Sequence, residues 1–119
     1  MEPLTWEKVQ ALKAAGNLHP LRVVSGSMAP LIPIGATVVV DPARTPRRWD
    51  VVVYWDGQKL ICHVLWHVNR HALPNEALLL APLVGRSVDL AVPRERVLGV
   101  VVSHRLTWFW RLRMLWGRR

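Results

Sequence analysis

The chain has one cysteine, Cys62, in 119 residues. A single thiol builds no internal disulfide framework and is too few for a Cys-based zinc site. Acidic side chains are scarce as well: 8 Asp and Glu stand against 16 Lys and Arg, a formal net charge of +8. No apolar stretch reaches the ~18 residues that a membrane-spanning helix needs. The nearest candidate, 105–116, is too short and is interrupted by Arg111 and Arg113. Residues 1–16 carry Glu2, Glu7, Lys8 and Lys13 without a continuous apolar core, so they do not read as a secretory signal peptide. The 7 Gly and 9 Pro follow no period, which excludes a collagen-like or low-complexity chain. What is present is 51% hydrophobic residues, enough for one core but not two, together with seven Trp. Trp and positive charge together point to an anionic partner, a membrane surface or a nucleic acid.

Apolar positions Trp6, Val9, Leu12 and Ala15 recur at helical spacing behind a Thr5 cap, and Gly16 supplies the stop. From residue 21 the pattern is that of strands, at 21–24, 37–40, 50–55, 59–68, 77–81, 87–92 and 97–103. Turn residues punctuate them at Pro33/Gly35, Pro42, Asp56-Gly57, Pro74/Asn75, Gly85 and Pro93. Residues 43–48, with Arg44, Pro46, Arg47 and Arg48, offer little to bury and read as a mobile loop. The expectation is a mainly β, small coiled-sheet or barrel-like domain over 1–104, with an N-terminal helix, followed by a basic Trp-rich helical tail over 105–119.

Two stretches can carry chemistry. Ser25-Gly26-Ser27 lies between a short strand and an apolar turn stiffened by Pro30 and Pro33, and a nucleophile needs such a rigid mount. Taken alone, the same three residues are most often a plain turn. In 59–68, alternation puts Lys59, Ile61, His63, Leu65 and His67 on one face and Leu60, Cys62, Val64, Trp66 and Val68 on the other. If the first face meets the Ser27 loop, a nucleophile and a base come within hydrogen-bond reach. Cys62 then points away from His63 and reads as a buried thiol. Lys59 is a second candidate base, though its place beside a hairpin turn suits a solvated lysine. His19, His63, His67, His71 and His104 show no ligand spacing with a matching carboxylate, so neither metal nor cofactor is expected.

Ser25-Gly26-Ser27-Met28-Ala29-Pro30-Leu31 resembles the nucleophile box of signal peptidase I and of the related LexA-like serine peptidases. Trp49-Asp50-Val51-Val52-Val53-Tyr54, then Leu60-Ile61-Cys62-His63-Val64, is similar to their second box, and Val97-Leu98-Gly99-Val100 to their closing strand. The resemblance spans roughly residues 4–102. It implies that Ser27 is the nucleophile, that Ser25 donates its hydroxyl to the oxyanion beside the Ser27 N–H, and that His63 is the base. His63 stands where bacterial members carry Lys and the endoplasmic-reticulum and archaeal type carries His. Asp89 falls near an acidic position and is either the third member of a triad or a surface turn residue. Three positions depart from the family pattern: Ala36 replaces Asp after Gly35, Val64 replaces the Arg after the base, and Pro82-Leu83 replaces Gly-Asp.

The implied activity is that of a serine endopeptidase on a peptide or preprotein with small residues near the cut. Short soluble relatives accompany peptide-modification systems, so leader-peptide removal is the implied task. About two dozen residues precede Ser27 and hold no DNA-binding domain, which argues against LexA-like self-cleavage. The alternatives are an inactive peptide-binding module of the same fold, reading an extended strand, and a membrane-surface adaptor working through its tail. In that tail Arg105, Arg111, Arg113, Arg118 and Arg119 alternate with Trp108, Phe109, Trp110 and Trp116. The wheel gives no clean apolar stripe because Arg113 falls beside Leu106 and Trp110. Both a helix packed on its own domain and one lying on an anionic membrane fit. Nucleic acid fits less well, since no single-strand platform is recognisable. The expected location is cytoplasmic, with peripheral membrane attachment as the added option.

Overall fold

The computed structural model describes residues 5–23, 28, 31–69, 77–83, 89–104 and 107–117, without the side chains of residues 69, 77, 89–91 and 117. The turns expected at Pro74/Asn75 and Gly85, and with them His71, Arg105, Leu106, Arg118 and Arg119, lie outside the described residues. Helix α1 (Trp6–Ala15) begins where the Thr5 hydroxyl accepts the Lys8 N–H at 3.3 Å. It ends at Gly16, whose φ of +71° is a left-handed conformation that glycine adopts without steric cost.

Among the described residues seven strands follow: β1 (His19–Arg22), β2 (Thr37–Asp41), β3 (Val51–Trp55), β4 (Leu60–Asn69), β5 (Ala77–Ala81), β6 (Asp89–Pro93) and β7 (Val97–Val101). They form one antiparallel sheet in the order β1-β2-β7-β3-β4-β5-β6, curled into a half-barrel. The mainly β, barrel-like expectation is met at this level. β1 starts two residues before the expected strand and includes Pro20, which an edge strand tolerates because one side of it needs no ladder hydrogen bond.

The two faces of the sheet carry two apolar clusters. The first gathers Val51, Val53 and Trp55 of β3 and Val64 of β4, together with Val9 of α1 and Met114 of a second helix, α2 (Trp108–Gly117). The second holds Val52 and Tyr54 of β3, Leu65 of β4, and Leu78, Leu80, Val92 and Val97. β3 and β7 are buried along their whole length because both faces are covered at the sheet centre. Among the described residues no helix is long and apolar enough to cross a membrane.

One expectation about β4 is corrected. Leu65 pairs with Leu80 and His67 with Leu79, which leaves Trp66 as an extra residue in the ladder. A bulge of this kind shifts every later side chain to the other face. Val68 therefore packs in the second cluster with Ile61 and Leu65, and His67, exposed, no longer follows His63.

The β2–β3 connection crosses over β7 at Gly99. A Cβ on Gly99 would stand 2.5 Å from the Asp41 carbonyl oxygen and 2.8 Å from Pro42 Cα, so only glycine permits this crossing. The Asp41 carboxylate accepts the Ala43 N–H at 3.0 Å, and the Asp50 carboxylate accepts the Arg47 N–H at 2.8 Å. Both ends of 43–48 are thereby pinned. Between them Trp49 takes a φ of +76°, held by its N–H to the Leu65 carbonyl at 2.9 Å and by the Leu65 N–H to the Asp50 carbonyl at 2.8 Å.

Candidate active site

Ser25 and Ser27 lie outside the described residues, and what is described is the frame around them. The Val23 N–H donates to the Ala36 carbonyl and the Gly35 N–H donates to the Val23 carbonyl, both at 2.8 Å. These two bonds close the segment 24–34 at its base. Gly35 makes the closure with a φ of +90°, a backbone angle that a side chain would strain. Within the segment Met28 and Ile32 are fully buried in the first cluster, and the Ile32 N–H reaches the Met28 carbonyl at 2.9 Å. The box therefore rests on a buried anchor, the residue directly after Ser27.

His63 sits in the middle of β4, opposite Val52 of β3. It is half-buried, and its ring meets the edge of Tyr54 at 6.2 Å between centroids, with planes 62° apart. Tyr54 pairs with Ile61, so the two rings are diagonal cross-strand neighbours, close enough for large side chains to touch. His63 thus belongs to the face that carries Tyr54 and Leu65. Cys62 packs on the opposite face with Val64 and Trp66, as alternation requires. Burial pushes the Cys62 thiol up to about 12, which leaves almost no thiolate at neutral pH. Lys59 is exposed in the hairpin, where its N–H and that of Gln58 both bond the Asp56 carboxylate at 2.8 Å.

Asp89 opens β6 and its side chain lies outside the described residues. Leu80 pairs with both Leu65 and Asp89, which sets the Asp89 backbone two strands from β4, roughly 10 Å away. The three departures from the family pattern are apolar packing positions here. Val64 and Leu83 are buried in the first cluster, and Ala36 packs against it.

A serine–histidine contact that the sequence reading passed over occurs at the end of β7. Ser103 Oγ lies 2.8 Å from His104 Nδ1 and accepts the Val39 N–H at 2.9 Å. Its oxygen accepts a sheet amide of β2, so it acts as a strand-end cap. Compared with protein-family models and with curated proteins, the chain finds no match.

Proposed function

We propose that the chain is a serine endopeptidase of the signal peptidase I and LexA-like type, with a Ser27–His63 dyad. Ser27 Oγ attacks the scissile carbonyl while His63 takes its proton, and His63 then returns that proton to the leaving amine. Water, deprotonated by the same imidazole, releases the acyl group from Ser27. The Ser27 N–H and the Ser25 hydroxyl hold the oxyanion. What supports this reading is that each resembling box has a structured support, Met28 for the serine box in the first cluster and β4 for His63, which stands on the face of the second. The serine box is closed at its base and anchored by Met28, and the histidine sits in mid-strand beside an aromatic ring.

The test is a peptide library rich in small residues, read by mass spectrometry after incubation with wild type, Ser27→Ala, His63→Ala and Ser103→Ala. Cleavage by the first two variants should fall by about 10³-fold or more, the scale on which loss of a triad member is felt. Ser103→Ala should cleave as wild type does. Unchanged cleavage by both dyad variants overturns the proposal.

A second reading is favoured by the buried Val64 and Leu83 and the partly buried Ala36, where the resembling family carries charged residues: an inactive module that pairs an extended peptide with a sheet edge. Peptide binding that survives Ser27→Ala, without cleavage by wild type, selects it.

A further inference from the structure

Helix α2 is docked by one narrow face. Met114 is 1% exposed and Trp110, one turn earlier, packs against the same cluster. At 100° per residue, Trp108, Phe109, Leu112, Leu115 and Trp116 fall in an arc of about 120° on the opposite side. All five are exposed, Trp108 by 72% and Trp116 by 74%. Arg111 borders that arc on one side, and Arg113, as expected beside Trp110, borders it on the other. Arg113 lies 5.9 Å from the Trp110 ring centroid. An outward apolar arc bordered by arginines, on a helix already anchored from behind, is the form of an interfacial helix.

Arg111 also lines a cleft of about 410 Å³ beside α2. Arg44, Thr45 and Arg47 of the β2–β3 connection form its other side, with Trp49 and Asp50. The Arg44 and Arg47 side chains make no ion pair among the described residues. Asp50, the one carboxylate there, already accepts the Arg47 N–H. The Arg44 and Arg47 guanidiniums face one carboxylate that is already engaged, which makes an anion site, and planar forked donors suit phosphate oxygens. Consecutive arginines have different surroundings here. Arg47 lines the cleft, while Arg48 lies over the rings of Trp49 and Trp66 at 4.7 and 5.3 Å and does not line it.

We propose that the outer face of α2 lies in the interface of an anionic membrane and that the Arg44–Arg47–Arg111 cleft takes the phosphate of a lipid headgroup. Nothing in this depends on Ser27 or His63. Charge selects the occupant: residues 103–119 contain no acidic side chain, so pairing this face with a second copy would oppose arginine to arginine.

The experiment is vesicle sedimentation of the full chain on phosphatidylcholine vesicles with and without 30 mol% phosphatidylglycerol, with tryptophan emission recorded in parallel. Binding is expected on the anionic vesicles, with a blue shift that Trp108→Ala/Trp116→Ala reduces. An arginine at an anionic surface is worth on the order of fivefold in partitioning, so Arg44→Gln/Arg47→Gln should lose roughly 25-fold. Arg48→Gln, with the same charge change as either single variant, should lose less than Arg44→Gln or Arg47→Gln alone. Circular dichroism checks that each variant is folded. Equal losses for all three single arginine variants would overturn the cleft. Binding of inorganic phosphate that Arg44→Gln/Arg47→Gln abolishes, without vesicle binding, would make it a free-anion site and overturn the lipid assignment. Absence of vesicle binding with a concentration-dependent dimer that Trp108→Ala/Trp116→Ala dissolves would assign the face to self-association instead.

Discussion

Trp49 holds a φ of +76° that costs a bulky L-residue about 1–2 kcal/mol. Two backbone bonds to Leu65 hold it there, and its indole recovers part of the cost edge-on against Trp66 at 5.5 Å. This gives an inverted order of substitutions. Trp49→Gly and Trp49→Ala lose the same indole, but only Gly sheds the strain. The Gly variant should therefore be more stable than the Ala variant by about 1 kcal/mol in denaturant unfolding, the reverse of the order in an ordinary strand. The sequence pattern places Trp49 beside the start of a strand and carries no sign of its left-handed backbone. That angle is imposed by a partner sixteen positions away. The caps of α1 were legible for the opposite reason: Thr5, Lys8 and Gly16 settle that helix among themselves.

At the scale of elements, local chemistry places strands better than it places their faces. The β3–β4 hairpin follows from β-branched runs on either side of Asp56-Gly57, and Gly57 takes the positive φ, +110°, that such a turn requires. The bulge at Trp66 follows from nothing local, since it arises where β4 meets β5, and it is what separates His67 from His63. The frame of the candidate site divides in the same way. The serine box and the histidine strand could be read from residue types, whereas the closure of the box at Val23 and the anchoring by Met28 needed the tertiary structure. Helix α2 shows the same division: its residues were ambiguous between packing and membrane, and the structure separates a packed face from an exposed apolar one. Met114→Ala should cost about 2–4 kcal/mol in thermal or chemical unfolding, because it empties a filled site under the helix. Leu115→Ala, one residue on and exposed, should change stability by less than about 0.5 kcal/mol.

Across the whole molecule, burial runs from the centre of the sheet to its edges. β3 and β7 are covered on both faces, whereas among the described residues β1 pairs only with β2 and β6 only with β5. Amide hydrogen exchange should follow this gradient. The β3 and β7 amides should open only with global unfolding, and those of β1 should exchange at least about 10²-fold faster through local opening. The seven tryptophans sort along the same gradient. Trp6, Trp49, Trp55 and Trp66 pack in or against the first cluster, while Trp108 and Trp116 face outward on α2. The chain-wide signature of Trp and positive charge therefore resolves into an interior use and a surface use.

Gly99 has a consequence for how such a sequence can change. Every missense change of a glycine codon adds a Cβ, and here that atom would land on the backbone of Asp41 and Pro42. Position 99 thus has no neutral single step available to it. It can drift only after the β2–β3 connection has lifted away, and that connection carries Arg44 and Arg47 with it. The closing strand and the arginine cleft are in this sense one unit of inheritance, joined by an atom that is absent.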